Sequence, residues 1–81
     1  MLLTKGIHVL RRPVPNHLAG LRIADSRLRP QTGCSIVAIE GQDGTSQVSP
    51  PPQTLLEQET TLILIGTPSQ EELFDKTLSK D

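Results

Sequence analysis

The residues of this 81-residue chain that could carry out chemistry are few and far apart. His8 and His17 have two prolines between them, and neither has a cysteine at the spacing of a zinc site. We expect His8 to point outward from a strand and His17 to lie in a loop. Cys34 opens an apolar segment, which favours a buried, inert thiol over a nucleophile. Because no acid, base and nucleophile form a catalytic pattern, the sequence predicts a protein that is not an enzyme.

Two groups of charged side chains are candidates for ligand binding. Glu57 and Glu59 share a predicted turn and could hold a hard divalent cation together with backbone carbonyls, although two exposed acids are more often simply solvated. Residues 1–30 carry six basic groups against one acid, a net +5, whereas residues 31–81 carry two against eight, a net −6. Either the two halves neutralise each other across the fold, or some of the arginines face an anionic ligand.

Length and composition indicate one small domain with little apolar material. Hydrophobic residues make up 35% of the chain, and Phe74 is its one aromatic residue. A chain of this size buries only ~60–65% of the surface that its unfolded form exposes, so its own core leaves a small margin of stability. We therefore expect the domain to dimerise or to belong to a longer chain.

The same composition excludes several classes of protein. A single cysteine cannot form an internal disulfide, which fits a reducing compartment. The longest apolar run has four residues, against the ~20 of a membrane span, and residues 1–6 lack the apolar stretch of a signal peptide. Whether residues 1–5 are native is left open. We expect no nucleic-acid partner, since single-strand binders stack bases on aromatic rings.

The elements that must position these residues follow the order β-α-β-β-β-α. A first strand is predicted over residues 6–12, and the two prolines after it are expected to end its pairing. Leu21, Ala24 and Leu28 share one face of a short helix, which Pro30 is expected to stop at the preceding residue.

The middle of the chain predicts three strands and a stiff connector. Residues 34–39 are almost continuously apolar, which predicts a central strand covered on both faces. An Asp-Gly pair then indicates a hairpin turn into a short edge strand over residues 46–49. The prolines at 50–52 indicate a stiff connector, and residues 61–66 are predicted to form the second buried strand.

The last helix is the most clearly marked element of the sequence. Thr67, Pro68 and Gln70 fit an N-cap, a first-turn proline and a capping box. Acids near the start and bases near the end match the helix dipole, and these residues are Glu71, Glu72, Lys76 and Lys80. The residues expected on its inner face are Leu73, Phe74, Thr77 and Leu78.

These elements predict an α+β fold, a small lobe whose sheet is covered by two short helices and which dimerises. We expect an N-terminal segment with the first strand over residues 1–16, the lobe itself over residues 17–78 and a tail over residues 79–81. The residues expected in the core are Ile36, Val37, Ile39, Leu62, Leu64, Leu73 and Phe74.

Several short motifs between residues 17 and 74 occur in a definite order. They are Leu18-Ala19-Gly20 before the short helix, Leu28-Arg29, Gly33, Ile36-Val37-Ala38-Ile39, a proline loop, Leu56-Glu57 and an apolar strand that ends in Gly66. In this order they resemble the TrkA-C domain, also called RCK_C, the C-terminal lobe of regulator-of-potassium-conductance modules. The sequence departs from the family pattern at Pro30, Glu40 and Glu59-Thr60, which bears on the ligand and not on the fold.

The resemblance implies a cytoplasmic, non-catalytic regulatory lobe associated with the inner face of the membrane. Such a lobe senses a ligand for a membrane-embedded potassium channel or potassium transport system, in the same or a separate chain, and pairs as a homodimer. The alternative is a structural dimerisation module of a transporter regulatory subunit, with no ligand of its own. The one cofactor that the resemblance suggests is a nucleotide such as cyclic di-AMP.

Some members of the family bind cyclic di-AMP in the cleft between two paired lobes. The matching positions in this sequence are Ile23, Arg29, Ser35, Ile36 and Pro50. The resemblance implies that Arg29 holds a phosphate while Ile23 and Pro50 cover the adenine faces. Ser35 and Ile36 fall where binders have polar contacts, and Ile36 offers none. The alternative for Arg29 is a solvated or salt-bridged surface arginine.

Three arginines near the predicted cleft separate the two functional hypotheses. If Arg22, Arg27 and Arg29 converge on a concave dimer surface, ligand sensing is favoured. If they scatter, or pair with Glu57 and Glu59, the structural module is favoured.

Overall fold

The computed structural model describes residues 2–78, so Lys80 and the predicted tail over residues 79–81 lie outside the described residues. The strands are β1 (Leu2–Thr4), β2 (Ile7–Pro13), β3 (Ser35–Glu40), β4 (Ser46–Val48) and β5 (Thr61–Gly66). The helices are α1 (Ile23–Ser26), α2 (Leu28–Thr32) and α3 (Pro68–Thr77), and a 3-10 turn covers Asn16–Leu18. In this part of the chain, no helix has the length and apolar character needed to cross a membrane.

The strands form an antiparallel sheet in the order β1-β2-β5-β3-β4, which confirms the predicted α+β class. The sequence does not predict β1, a short strand that pairs with β2 after a turn at Gly6 (φ 82°). The predicted first strand also begins one residue later than expected and includes Pro13, which pairs with Thr61. Pro13 is tolerated because it ends its strand, and the next amide, of Val14, bonds the Thr60 carbonyl at 3.0 Å.

Strand β5 lies at the centre of the sheet and buries one of its faces. Leu62 and Leu64 are fully buried, whereas Ile63 and Ile65 on the opposite face are half-buried. Strand β3 is an interior strand as predicted, since it lies between β5 and the edge strand β4, but it is not covered on both faces. Its first four residues are half-buried, and a half-buried face also favours apolar side chains.

Helix α3 covers the buried face of the sheet. The predicted core residues that are buried are Ile39, Leu62, Leu64 and Phe74. Ile36 packs partly buried against this core, and Val37 is half-buried. Leu73 is 43% exposed and Thr77 is exposed, so the predicted inner face is correct for Phe74 and Leu78 only. Phe74 and Leu78 are four residues apart and share one helix face, whereas the preceding residue in each case points about 100° away from that face. Buried residues that the sequence analysis missed are Leu10, Val14, Leu18 and Leu56.

The predicted helix before Pro30 is in fact two short helices. Helices α1 and α2 are separated at Arg27, whose backbone is left-handed (φ 55°, ψ 27°). The predicted common face is therefore wrong: Leu28 is buried, but Leu21 is 37% exposed and Ala24 is exposed. Pro30 does not stop the helix, because it is the third residue of α2, where a backbone N–H would have no helical partner.

The predicted start of α3 is confirmed. The Thr67 hydroxyl accepts a hydrogen bond from the Gln70 amide (3.2 Å), and the Gln70 side chain accepts one from the Thr67 amide (2.8 Å). Pro68 occupies the first helical position. Of the predicted charges, Glu71 lies in the first turn and Lys76 in the last, which matches the helix dipole.

Ion pairs join strand β2 to helix α3. Arg12 binds both carboxylate oxygens of Asp75 (2.8 and 3.1 Å) and one of Glu71 (2.9 Å), and His8 Nδ1 lies 2.9 Å from the other. His8 therefore faces α3 and does not point outward as predicted. The hydrogen bond with His8 is the main cause that lowers the pKa of Glu71, and the bond to Asp75 is the main cause that raises the pKa of Arg12. In this network, basic side chains of residues 1–30 are paired with acidic side chains of residues 31–81, as one of the two charge hypotheses predicts.

Candidate functional site

A cleft of about 280 Å³ opens between the short helices, the start of β3 and the proline loop, which we define as residues 49–54. All five positions that the resemblance indicates lie in its wall. They are Ile23 on α1, Arg29 on α2, Ser35 and Ile36 on β3, and Pro50 on the proline loop. The structure therefore brings together residues from four separate segments, and their contacts with a ligand stay a prediction.

Backbone hydrogen bonds hold α1 against the proline loop. The amide of Ile23 donates to the carbonyl of Thr54 (2.9 Å), and the amide of Ala24 donates to the carbonyl of Pro52 (3.0 Å). The first amides of a helix have no acceptor within the helix, so the loop carbonyls satisfy them. The side of the cleft that carries Ile23 is thus fixed to the side that carries Pro50.

A left-handed residue turns the chain from β4 into the proline loop. Ser49 has φ 51°, and its amide donates to the Val37 carbonyl on β3 (2.8 Å). This bond anchors the end of β4 to the sheet immediately before Pro50, which lines the cleft. Because each proline fixes its own φ, the run Pro50-Pro51-Pro52 stiffens the loop in this position.

The break at Arg27 determines which side chains reach the cleft. In a continuous α-helix two residues that are two positions apart point about 200° away from each other. Because Arg27 is left-handed, both Arg27 and Arg29 line the same cleft. The Ser26 hydroxyl stabilises the break, since it donates to the Ile23 carbonyl (2.7 Å) and accepts from the Leu28 amide (3.3 Å).

The inner wall of the cleft is fixed by close packing between the end of α2 and the start of α3. The Thr32 hydroxyl accepts a hydrogen bond from the Cys34 amide (3.1 Å), and Gly33 between them has φ 82°. A Cβ at Gly33 would stand 2.5 Å from Nε2 of Gln70, so a glycine is needed there for two reasons. Cys34 is fully buried as predicted, and burial raises the pKa of its thiol, which keeps the thiol protonated.

The cleft combines a basic edge with apolar walls. Within residues 2–78, the side chains of Arg27 and Arg29 make no hydrogen bond or ion pair, and both residues are exposed. A free guanidinium fits a phosphate or carboxylate group in a bidentate manner. Ile23, Ile36 and Pro50 offer apolar surface for a flat ring, and Ser35 offers a hydroxyl. This arrangement can bind a planar ligand that carries negative charge.

Of the three arginines that separate the two hypotheses, two line the cleft and one does not. Arg27 and Arg29 converge on the cleft, whereas Arg22 lies outside its lining and pairs through its backbone with Leu55. None of the three forms an ion pair with Glu57 or Glu59. The sequence analysis did not place Arg27 among the ligand contacts, because a left-handed arginine between two helical turns has no signature in the sequence.

The two carboxylates proposed as a cation site lie away from the cleft. Glu57 and Glu59 are exposed on the chain before β5, and the Glu57 backbone carbonyl accepts the Thr60 hydroxyl (2.6 Å). Among the described residues, no group of three or more His, Cys, Asp or Glu side chains is placed to hold a metal ion. The geometry thus gives more support to an anionic ligand in the cleft than to a cation at these acids.

The sheet with one helix-covered face, and the basic, apolar-walled cleft beside it, make up a small α+β lobe. The chain belongs to the TrkA-C domain family, whose sequence model matches residues 7–79. The resemblance carried by the ordered motifs is confirmed.

Three solved structures show the same fold over most of this chain. The GsuK channel bound to NAD is 52% identical, with a TM-score of 0.87 over 95% of this chain and 14% of that chain. The RCK C domain of the potassium transport protein KtrA in complex with cyclic di-AMP is 29% identical, with a TM-score of 0.83 over 94% of this chain and 88% of that one. The RCK_C domain dimer of S. agalactiae BusR in complex with cyclic di-AMP is 26% identical, with a TM-score of 0.75 over 88% of this chain and 89% of that one.

These comparisons concern the lobe and not a whole transport protein. The chain spans 14% of the GsuK channel chain that it matches. BusR is also seen in complex with promoter DNA, at 24% identity, and that likeness shows the fold alone. No curated protein sequence matches the chain significantly.

Proposed function

We propose that this chain is the ligand-sensing regulatory lobe of a potassium channel or potassium transport system, and that it binds a nucleotide in the cleft. The observation that carries the proposal is the convergence of Ile23, Arg29, Ser35, Ile36 and Pro50 on one cavity with a basic edge. Sequence similarity to the GsuK channel and to KtrA supports the link to potassium transport.

The ligand class follows from the chemistry of the walls. Arg29 binds a phosphate of the nucleotide, while Ile23 and Pro50 contact the faces of the base and Ser35 donates or accepts a hydrogen bond. The KtrA and BusR domains hold cyclic di-AMP, so a nucleotide is the ligand of two similar lobes, and the GsuK channel as a whole is bound to NAD. Ile36 supplies only apolar contact, which favours a ligand that needs few polar contacts to its base.

Pairing as a homodimer is part of the proposal. The BusR RCK_C domain is a dimer, and the open face of this sheet carries half-buried Ile63 and Ile65. Burial of apolar surface is worth roughly 25 cal/mol per Å², so even ~1,000 Å² of mostly apolar contact would rival the monomer's own stability. In such a dimer the cleft of one lobe faces that of its partner.

The remaining parts of the proposal concern location, partners and chemistry. The lobe acts at the cytoplasmic face of the membrane, through the channel or transporter to which it belongs or binds. It does not bind nucleic acid and it catalyses no reaction, in line with a regulatory family and with a single aromatic residue.

Calorimetric titration with cyclic di-AMP, NAD, ATP and calcium tests the proposal. We expect at least one nucleotide to bind, and Arg29→Ala to weaken that binding by about ten- to a hundredfold, since a charge-assisted contact contributes roughly 1.5–3 kcal/mol. Arg22→Ala is the matched control and should bind as the unmodified chain does. A folded dimer that binds none of the nucleotides would support the structural dimerisation module instead, and calcium binding abolished by Glu57→Gln would overturn the choice of site.

A further inference from the structure

We infer that Arg27 is a second anion-contacting residue of the cleft, so that the cleft selects nucleotides with two or more negative charges. This inference rests on the proposed function, because it concerns the ligand of the same cleft. Arg29 is the position that the family resemblance indicates, whereas Arg27 is assigned by the geometry of this chain.

The charge of the cleft wall is the first observation. Its lining contains Arg27 and Arg29 and no aspartate or glutamate, so it carries two positive charges without a balancing acid. Two other arginines of the basic half are paired, Arg11 with Glu40 and Arg12 with Asp75, and Arg22 lies outside the cleft lining. The cleft thus brings two guanidinium groups that have no ion pair among residues 2–78 into one largely apolar cavity. A ligand with two negative charges would balance them.

The backbone of Arg27 is the second observation. A left-handed conformation is uncommon for a residue other than glycine, asparagine or aspartate, and such residues concentrate at binding sites. Arg27 adopts it at φ 55° and is held there by the Ser26 hydroxyl, which bonds the residues on either side of the break. In a continuous helix the side chain of Arg27 would point away from that of Arg29. The break thus places a second guanidinium where one phosphate contact is already proposed.

Asparagine substitutions separate binding from folding. Arg27→Asn removes the guanidinium and keeps a residue that tolerates the left-handed backbone, so the variant should unfold at an equal or higher temperature than the unmodified chain. Glu59→Asn is a matched control for the backbone, because Glu59 is also left-handed (φ 65°) but lies outside the cleft. Arg22→Asn is the control for loss of one positive charge outside the cleft.

The test measures the affinity of the unmodified chain and these variants for cyclic di-AMP, NAD and cyclic AMP, and follows the arginine Nε–H signals by NMR. We expect cyclic di-AMP or NAD, each with two ionised phosphates, to bind more tightly than cyclic AMP, which has one, and both the Arg27 and Arg29 signals to shift. Arg27→Asn should weaken binding by about five- to twentyfold and reduce its dependence on salt, while the two controls do not.

Two other results would overturn the inference, and they are distinguishable. If Arg29→Ala weakens binding and Arg27→Asn does not, the inference fails and the proposed function stands. If none of the three nucleotides binds the folded chain and no arginine signal shifts, both fail.

Discussion

The amide of Ala24 donates a 3.0 Å hydrogen bond to the carbonyl of Pro52, and both residues line the same cleft. Through this bond the short helix α1 and the proline loop form one unit before any ligand arrives. A binding site whose walls are already held in place loses little conformational entropy when it is occupied. The proline run is therefore best understood as a device that preorganises the cleft.

Pro51→Gly tests this preorganisation. Pro51 is exposed and lies outside the cleft lining, so its substitution removes stiffness and no ligand contact. Glycine at position 51 restores backbone freedom worth roughly 0.4–1 kcal/mol. Because ligand binding must remove this freedom again, we expect nucleotide binding to become about two- to fivefold weaker. Calorimetry of the variant against the unmodified chain measures the change. Unchanged affinity would show that the loop is held by its hydrogen bonds alone.

Gly33→Ala should destabilise the lobe through two separate effects. Its φ of 82° disfavours a side chain, and a Cβ would also stand 2.5 Å from the Gln70 side chain, which the capping box holds. Gly20 is the matched control, since its φ is 91° and nothing lies within 4 Å of a Cβ there. We expect Gly20→Ala to cost about 1 kcal/mol and Gly33→Ala about 2–4 kcal/mol in urea unfolding. Equal costs would contradict the close packing of α3 against residue 33.

The stability of the lobe should depend on pH through Glu71. Its pKa is lowered in the folded state, first by the hydrogen bond with His8 and then by Arg12, while the unfolded chain has the ordinary value near 4.5. A carboxylate whose pKa is lowered by folding stabilises the folded state at pH values above its ordinary pKa. This stabilisation is lost as the pH falls through the pKa of the folded state.

Glu71→Gln should therefore be less stable than the unmodified chain at pH 7, and the difference should shrink below about pH 4.5. Urea unfolding between pH 7 and pH 3 measures it. Glu72→Gln is the control, because Glu72 is exposed on the same helix and its ion pair within residues 2–78 is a long one, with Lys76 at 3.7 Å. A difference for Glu71→Gln that stays constant over this pH range would contradict the role of the carboxylate.

The isolated lobe should be a homodimer in solution. Light scattering should give about twice the monomer mass of 8.8 kDa at micromolar concentration, because the small core leaves apolar surface for a partner. A mass of 8.8 kDa that does not change with concentration would contradict the pairing.

Elements with a local signature could be predicted from the sequence, and elements defined by tertiary contacts could not. Thr67 and Gln70 define the start of α3 because a capping box involves residues three apart. Strand β5 is predicted because its apolar run is bounded by turn residues. Strand β1 is missed because three residues have no period, and its pairing depends on the turn at Gly6. The exposure of Leu73 could not be predicted because Leu73 and Thr77 have the same spacing of four as the buried Phe74 and Leu78, and the spacing alone does not say which pair faces the core.

In the cleft, too, the features that depend on tertiary contacts could not be predicted from local sequence patterns. Its five predicted positions come from the order of the family motifs, and no spacing rule would have brought Ile23 and Pro50 together. What joins them is a pair of backbone hydrogen bonds to the proline loop, which depend on backbone amides and carbonyls and not on side-chain type. Arg27 is expected near the cleft but not among its ligand contacts, because its left-handed backbone depends on the Ser26 hydroxyl and the packing of Leu28.

The central claim is that a nucleotide binds in this cleft, and an NMR titration of the ¹⁵N-labelled chain tests it most directly. The nucleotide that binds best among cyclic di-AMP, NAD and ATP is added while every backbone amide is followed. The account predicts the largest shifts at Ile23, Arg29, Ser35 and Ile36, all of which line the cleft. Shifts confined to Glu57 and Glu59, or no saturable shift with any of the three nucleotides, would contradict it.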